Sequence, residues 1–205
     1  MSSFFSYLIN GVSLGSIYAL IALGYTMVYG IAKMLNFAHG DVIMIGGYMT
    51  FVVGTALGMP TWLTMLFGIL VCTVLGVTIE KIAYKPLRAA TSLAVLITAI
   101  GVSYFLQNVA LLVFGSAAKT TTSVIPPFSI MLGDVKVSGE TVVTILVSVA
   151  IMIGLSLFVN HTKSGKAMLA VSEDKGAAQL MGINVNATIS LTFAIGSALA
   201  GIASV

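Results

Sequence analysis

Two groups of residues in this sequence have types and spacings that could perform chemistry. His39 and Asp41 lie two residues apart in a polar segment between apolar runs, and such a pair would suit a proton relay. Gly11-Val-Ser-Leu-Gly15 matches the nucleophile-elbow pattern of serine hydrolases. Cys72 and His161 are far from both groups, so neither a disulfide framework nor a Cys/His metal cluster is predicted.

The hydrolase interpretation fails on context. A nucleophile elbow needs a strand-to-helix turn with histidine and acidic partners, whereas Gly11–Gly15 lies inside a continuous apolar run that holds no histidine. A phosphate-binding Gly-x-x-x-x-Gly-Lys-Ser/Thr motif is also absent from the sequence. We therefore expect no catalytic residue, metal or cofactor in this chain, and any ATP hydrolysis would require a separate subunit.

The composition is that of a membrane protein. Hydrophobic residues make up 59% of the chain and charged residues 7%, with a mean hydropathy of +1.11, which excludes an ordinary soluble domain. The first apolar run has no basic region before it, so it is a retained span and not a signal peptide. The sequence predicts an all-α polytopic transmembrane helix bundle in one domain, 1–205. Six spans are predicted, near 7–31, 42–59, 62–79, 93–114, 141–159 and 183–205.

The distribution of charge predicts the orientation. The segment Glu80–Arg88 carries three basic residues and one acidic residue, and 163–175 carries three basic and two acidic residues, so both have a positive net charge and are expected in the cytoplasm. The segment Gly115–Glu140 is neutral and contains the turn signals Pro126-Pro127 and Gly133-Asp134, which places it outside. No basic run is dense enough to suggest nucleic-acid binding.

The polar interruption Asn36-Phe-Ala-His-Gly-Asp41 has three interpretations. A proton relay through His39 would need carboxylates deeper in the bilayer, and the sequence offers none. A structural break could let the chain re-enter the membrane at Gly40, since irregular backbone is tolerated there only against protein or a water-filled cavity. A plain cytoplasmic loop is the third possibility. Asn36 and His39 are therefore candidate pathway or helix-packing residues.

Polar side chains inside the fourth predicted span admit two roles. Gln107 and Asn108 are amides in an otherwise apolar run, and amides of this kind form hydrogen bonds between transmembrane helices. Intramembrane polar groups are also costly and are often functional, so both residues could instead line a solute pathway. The small-residue pairs Gly11/Gly15 and Gly54/Gly58 would allow close helix contact.

A polar segment between two apolar runs, 165–184, is predicted to form a short helix that packs on another protein. Ser172 could cap this helix, Glu173 and Asp174 would then fall in its first turn, and Gly182 could end it in the left-handed conformation. A helix of about nine residues is too short to be stable alone in water. A face of small residues would let a partner approach closely: Ala170, Ala177, Ala178 and Gly182.

Over its whole length the chain resembles the membrane permeases of ATP-driven branched-chain amino acid importers, of the LivH type. The resemblance rests on several motifs that occur in order. They are Tyr18-Ala-Leu-Ile-Ala-Leu-Gly24 with Met27-Val-Tyr-Gly30, Asn36-Phe-Ala-His-Gly40, Glu80-Lys-Ile-Ala-Tyr-Lys-Pro-Leu-Arg88, Ile100-Gly-Val-Ser-Tyr-Phe-Leu-Gln-Asn108, and Ser172-Glu-Asp174 with Met181-Gly-Ile-Asn184.

The resemblance implies that 165–182 is the cytoplasmic coupling helix that rests in a cleft of an ATP-binding-cassette ATPase. Glu173 and Gly182 stand in the conserved-motif positions of that loop, and Ala177 and Ala178 match its alanines. Asp174-Lys-Gly departs from the motif. The implied partners are ATPase subunits, a second related permease, a substrate-binding protein and membrane lipid, and the implied location is the bacterial inner membrane.

Three functions remain open on the sequence alone. The resemblance favours transport of leucine, isoleucine and valine, whereas permeases for urea or short amides have similar motifs. A membrane scaffold without transport activity is the third possibility, although it would not need the polar residues of spans one and four. The chain ends in an apolar run at Val205, while members of the family continue through further spans, so the sequence is expected to be incomplete.

Overall fold

The computed structural model describes residues 2–88, 90–121, 125, 128–132 and 135–205. Eight α-helices and one β-hairpin are present in this part of the chain. The helices are α1 Ser2–Ala32, α2 His39–Thr50, α3 Thr61–Ile79, α4 Ser92–Phe114, α5 Gly139–His161, α6 Lys163–Glu173, α7 Lys175–Leu180 and α8 Val185–Ser204. The antiparallel strands are β1 Ser129–Leu132 and β2 Val135–Ser138, with Ser129 opposite Ser138.

Five helices of the described residues are long and apolar enough to cross a membrane: Phe4–Ala32, Thr61–Leu87, Ser92–Phe114, Gly139–His161 and Val185–Ser204. The predicted all-α bundle is confirmed, with the short β-hairpin as an addition between α4 and α5. The second predicted span, 42–59, coincides with α2 and a π-helix, Phe51–Ala56, that continues it. Helix α2 is not among these five helices, and it begins inside the bundle, as described below.

Helix α8 is the centre of the bundle, because half of its apolar window is buried and it packs on α1, α2, α3 and α6. Glycines make these contacts close. A Cβ added at Gly76 in α3 would overlap the side chain of Ser197, and one added at Gly196 would lie 3.0 Å from the carbonyl oxygen of Gly24 in α1. Small residues therefore set the spacing of α1, α3 and α8.

The basic segment after α3 is mostly helical, although the third span was predicted to end at residue 79. The chain continues as a π-helix over Glu80–Tyr84 and a 3₁₀ turn over Lys85–Leu87, so the third span reaches Leu87. Glu80 is fully buried and forms an ion pair with Arg88. Arg88 also donates to Asn186, and Ser190 donates to Glu80 Oε2 at 2.8 Å. These contacts tie the end of α3 to the first turns of α8.

The contacts bring the basic segments to one end of the bundle. Lys175 Nζ donates to the carbonyl oxygen of Ala32 at 2.8 Å, and the Glu80–Arg88 pair reaches the start of α8. Seven of the nine basic residues of the sequence lie in the segments at this end, which we call the basic face: Lys33, Lys81, Lys85, Arg88, Lys163, Lys166 and Lys175. The β-hairpin lies at the opposite end, where β2 contacts α1 and α5.

Cysteine labelling tests the expectation that the basic face is cytoplasmic. Ser164→Cys, which is exposed at the basic face, should react with an impermeant thiol reagent only after the membrane is opened. Ser116→Cys, exposed just after α4, should react in intact cells; the alternative position Ser123 lies outside the described residues. The unmodified chain is the control, because its cysteine, Cys72, is buried. Labelling of Ser164→Cys in intact cells would show that the basic face is outside and would contradict the predicted orientation.

Candidate substrate pathway and coupling surface

The chain between α1 and α2 is irregular and leads into the interior of the bundle. Lys33 adopts a left-handed backbone with φ of 57°, which ends α1, and α2 begins at His39 without a side-chain cap. Asn36, Ala38 and His39 are all buried. This burial argues against a plain, solvated loop. The predicted break is present, but it lies at Lys33–Ala38, and Gly40 is an ordinary residue of the first turn of α2.

Helix α2 starts near mid-depth of the helical layer. A Cβ added at Gly24 would lie 3.1 Å from Cε1 of His39 and 3.0 Å from the carbonyl oxygen of Gly196. At about 1.5 Å per residue, Gly24 lies about 12 Å from the end of α1, and Gly196 lies about 16 Å from the start of α8. Cys72, in the middle of α3, donates to the carbonyl oxygen of Val42 at 3.3 Å. Three neighbouring helices thus place the first turn of α2 at the same depth.

Asn36 holds the irregular segment in place. The hydroxyl of Tyr84 donates to Asn36 Oδ1 at 3.1 Å, and the Tyr84 ring packs on Phe193 with centroids 5.4 Å apart. The carbonyl oxygen of Asn36 accepts a hydrogen bond from the N–H of His39 at 3.2 Å. The Asn36 carbonyl therefore supplies a partner for the first N–H of α2, and the bond from Tyr84 fixes the Asn36 side chain.

His39 lies between α1 and α8 and lines an open cavity. Its ring meets Tyr25 edge to face, with centroids 6.1 Å apart, and its Nε2 is buried with no hydrogen-bond partner among the described residues. The cavity has a volume of about 410 Å³. Its lining combines aromatic, hydroxyl and amide groups: Tyr18, Ile21, Ala22, Tyr25, Thr26, Asn36, Phe37, His39 and Gly40. Both residues predicted in the Asn36–Asp41 segment thus lie at one cavity.

Asp41 faces a different neighbour, α4. Gln107 Nε2 donates to Asp41 Oδ1 at 3.0 Å and to Ser103 Oγ at 3.1 Å, while Asp41 Oδ2 is buried without a hydrogen-bond partner in the described part of the chain. A hydrogen bond between His39 and Asp41 is not present among these residues. The geometry therefore does not support the proton relay, because the His39 ring packs against α1 whereas Asp41 bonds to Gln107 of α4.

The two predicted amides of α4 have different surroundings. Gln107 joins α4 to α2 through Asp41, whereas Asn108 Nδ2 donates to the carbonyl oxygen of Tyr104 within its own helix, at 2.7 Å. Both side chains are exposed, so the difference lies in their hydrogen-bond partners. The contacts support interhelical bonding for Gln107, and they give Asn108 no partner beyond α4 within the described structure.

The serine motif and its flanking glycines lie inside α1. A helix there offers no strand-to-helix turn, so the pattern is not a nucleophile elbow. A Cβ added at Gly11 or Gly15 would meet nothing within 4 Å, so this small-residue face is uncovered. Gly54 is packed, because an added Cβ would lie 3.1 Å from Thr64, and Gly58 ends the outer part of the second helix with φ of 62°.

The predicted coupling segment contains two helices where one was expected. Thr162 caps α6, accepting from the Gly165 N–H at 3.0 Å, and α6 extends to Glu173. Asp174 caps α7, accepting from the N–H groups of Gly176 at 2.7 Å and Ala177 at 3.0 Å. Ser172 donates to the carbonyl oxygen of Leu169 at the end of α6. The prediction that Ser172 is the cap was therefore wrong, since the aspartate two residues later has the extended backbone a cap needs.

The residues of this segment divide between the interior and the surface. Met168, Val171 and Ala178 are buried against the bundle, so Ala178 cannot be part of an outward small-residue face as predicted, and Ala170 packs partly against the core. Glu173, Asp174, Ala177 and Gly182 are exposed, and Gly182 has the predicted left-handed backbone, with φ of 83°. Sequence reasoning missed two exposed apolar side chains beside them: Leu180, 90% exposed, and Met181, 82% exposed.

The bundle consists of helices long enough to cross a membrane, and among them α2 starts at mid-depth beside a polar cavity. This arrangement is typical of one class of protein, the helical membrane permeases. The family described as the permease component of branched-chain amino acid transport systems matches residues 7–205. The chain belongs to this family. It is a multi-pass permease of the bacterial inner membrane, not an enzyme, as the sequence predicted.

Several similar proteins are named as permeases of branched-chain amino acid transport systems. The chain is 42% identical over 210 residues to BraD, a high-affinity branched-chain amino acid transport system permease protein of Pseudomonas aeruginosa, covering 97% of the chain and 68% of the relative. Identity to the LivH permease protein of Escherichia coli K12 is 41% over 215 residues, covering 98% and 70%. A probable LivH permease protein of Methanocaldococcus jannaschii is 28% identical over 193 residues, covering 90% and 60%. No solved structure matches the chain.

Leucine substitutions test the different roles of the two α4 amides. Gln107→Leu leaves the buried Asp41 without its partner, so it should lower the free energy of unfolding by about 1–3 kcal/mol. Asn108→Leu, the matched control, removes a bond within α4 and should change it by less than about 0.5 kcal/mol. Thermal unfolding in detergent measures both. Adding Asp41→Leu to Gln107→Leu should recover part of the loss, and equal destabilisation by the two single variants would contradict the assignment.

Proposed function

We propose that this chain forms part of the translocation pathway of an ATP-binding-cassette importer for branched-chain amino acids. The full set of partners would be a second related permease, ATPase subunits at the basic face, and a binding protein that delivers the substrate from the other side. Membership of the permease family and the names of relatives at 41–42% identity support this proposal. They also favour an amino acid over urea or short amides as the substrate.

The observation that carries the proposal is the cavity beside the first turn of α2. Transporter sites commonly lie near the membrane mid-plane where a helix is interrupted, and α2 begins at that depth. The first turn of α2 has no side-chain cap, and the N-terminal end of a helix carries partial positive charge, which suits the carboxylate of an amino acid. The Asp41 carboxylate of the same turn is directed to Gln107 of α4. Tyr18, Ile21 and Phe37 add apolar and aromatic wall, which suits a branched aliphatic side chain. Asn36 and His39 supply the polar groups.

Filling this cavity should block transport without unfolding the protein. Gly40→Trp projects from the first turn of α2 into open space, because a Cβ there meets nothing within 4 Å. We expect leucine uptake by the reconstituted complex to fall by more than about 10-fold, since the indole would occupy the space of the substrate. Gly154→Trp in α5 is the control, as its added Cβ also meets nothing. Uptake of radiolabelled leucine and of urea is measured for both.

The outcomes separate the pathway from assembly. Loss of leucine uptake in Gly40→Trp, with wild-type melting and wild-type recovery of the ATPase in pull-downs, supports the proposal. Normal uptake in Gly40→Trp would show that the cavity is not on the pathway. A wild-type complex that takes up urea in preference to leucine would overturn the proposed substrate.

We further propose that the exposed surface of 173–182 is the coupling surface that binds the ATPase. Glu173, Asp174, Ala177 and Gly182 contribute to this surface, and Leu180 and Met181 supply apolar anchors of the kind that dominate binding energies. Helix α7 has only six residues, so it depends on packing for its stability. Its buried side chain, Ala178, and the Lys175 bond to Ala32 fix it to the bundle.

Aspartate substitutions test the coupling surface. Leu180→Asp with Met181→Asp should weaken binding to the ATPase by at least about 10-fold and uncouple ATP hydrolysis from uptake, because two apolar anchors become charged. The fold should survive, since both side chains are exposed. Lys166→Asp, exposed at the same face in α6, is the control for added negative charge. Pull-down affinity and substrate-stimulated ATPase activity give the readout, and wild-type values for the double variant would make this segment an ordinary connection.

A further inference from the structure

A second cavity opens at the basic face, away from the mid-depth cavity. It has a volume of about 320 Å³ and lies between the end of α1, the start of α4 and the start of α7. Three basic residues line it, Lys33, Arg88 and Lys175, together with Tyr29 of α1 and Ser92 of α4. The cavity is therefore built by four parts of the chain, the end of α1, the segment before α4, the start of α4 and the start of α7, and each contributes a polar or charged group.

The positive charge of this cavity is only partly compensated. Glu80 pairs with Arg88 and accepts from Ser190, so the three basic residues and one acidic residue leave a net charge of +2. Asp174 is engaged by the N–H groups of α7. The pKa of the Lys175 ammonium is lowered by burial and then by the neighbouring positive charges of Arg88 and Lys33. Arg88 Nε is buried without a hydrogen-bond partner among the described residues.

The backbone at Lys33 adds a local cost. A left-handed backbone is uncommon for a lysine, and Lys33 is the one non-glycine residue of the described chain with positive φ. Glycine would adopt this conformation without the steric penalty. Strained residues of this kind often lie at functional sites, and here the strain coincides with a cationic side chain at the cavity.

The surroundings favour a ligand that has one end in the membrane. The first residue of α4, Ser92, lines the cavity, so the partial positive charge at the N-terminal end of this helix lies beside it. Beside the cavity-lining face of α4, the apolar side chains of Leu93, Ile97 and Ile100 are exposed at helical spacing. Tyr29 is half exposed beside the cavity, and tyrosine is typical of the membrane interface. A charged head group in the cavity would leave its acyl chains against this apolar strip.

We propose that this cavity binds the phosphate group of an anionic phospholipid from the cytoplasmic leaflet. Basic pockets between transmembrane helices on the cytoplasmic side have the charge and position to hold such head groups. The bound phosphate bridges the ends of α1 and α4 and the start of α7, so the lipid stabilises the position of the coupling surface. This proposal is independent of which solute the permease carries.

Lipid titration of the purified full-length chain tests the proposal. The chain is placed in phosphatidylcholine nanodiscs, phosphatidylglycerol is added, and native mass spectrometry gives the affinity of the retained lipid. Lys33→Gln and Lys175→Gln should each weaken phosphatidylglycerol binding about fivefold, which corresponds to about 1 kcal/mol per charge, and the double variant about 25-fold if the effects add. Lys166→Gln, exposed at the same face but outside the cavity, should leave the affinity within about twofold.

Each outcome of the lipid titration either supports or overturns the proposal that the cavity binds an anionic phospholipid. Selective retention of phosphatidylglycerol over phosphatidylcholine, lost in the cavity variants and kept in Lys166→Gln, supports the proposal. Equal retention of the two lipids, or equal loss in Lys166→Gln, overturns it. Displacement of the lipid by excess inorganic phosphate assigns the cavity to a soluble anion instead. If Lys175→Gln lowers the melting temperature through its bond to Ala32, Lys33→Gln decides alone, because no hydrogen bond of the Lys33 side chain is present among the described residues.

Discussion

Backbone N–H and C=O groups in an apolar layer must find hydrogen-bond partners within the protein. The rest of the structure depends on this constraint at the interruption between α1 and α2, because the helical hydrogen bonds stop there. Each unsatisfied N–H or C=O there would cost several kcal/mol. The last carbonyl of α1 finds its partner in a distant part of the chain, because Lys175 donates to the carbonyl oxygen of Ala32. Tyr84 fixes the side chain of Asn36. The break therefore exists only in the assembled bundle.

The same contacts connect the proposed coupling surface to the proposed pathway. Lys175, the first residue of α7, bonds to the last residue of α1, and the irregular segment that follows leads directly to His39. A displacement of α7 would act on the end of α1 and on the break without passing through the long helices. The close glycine contacts of α8 with α1 and α3 make the remainder of the bundle stiff, because small residues leave little room for repacking. Movement would concentrate at the break.

Some of the site was predictable because it rests on local chemistry. The polar residues of 36–41 interrupt an apolar pattern, and this identified Asn36 and His39 before any contact was known. Other features carried no local signal. Asp41 looked like a loop residue beside His39, yet its partner is Gln107, 66 positions along the chain. Ser172 is a good capping residue by type, but the extended backbone falls at Asp174, since α6 gains stability by packing Met168 and Val171 before it ends.

The sequence by itself determined the membrane environment, the positions of the five long apolar helices, the clustering of basic residues and the family, because hydropathy, charge and motif order are written along the chain. Only the tertiary structure decided the depth at which α2 begins and the different partners of Gln107 and Asn108. It also decided the gathering of Lys33, Arg88 and Lys175 around one cavity. These features depend on which helix faces meet, and small residues such as Gly24, Gly76 and Gly196 set that geometry through contacts that no local pattern encodes.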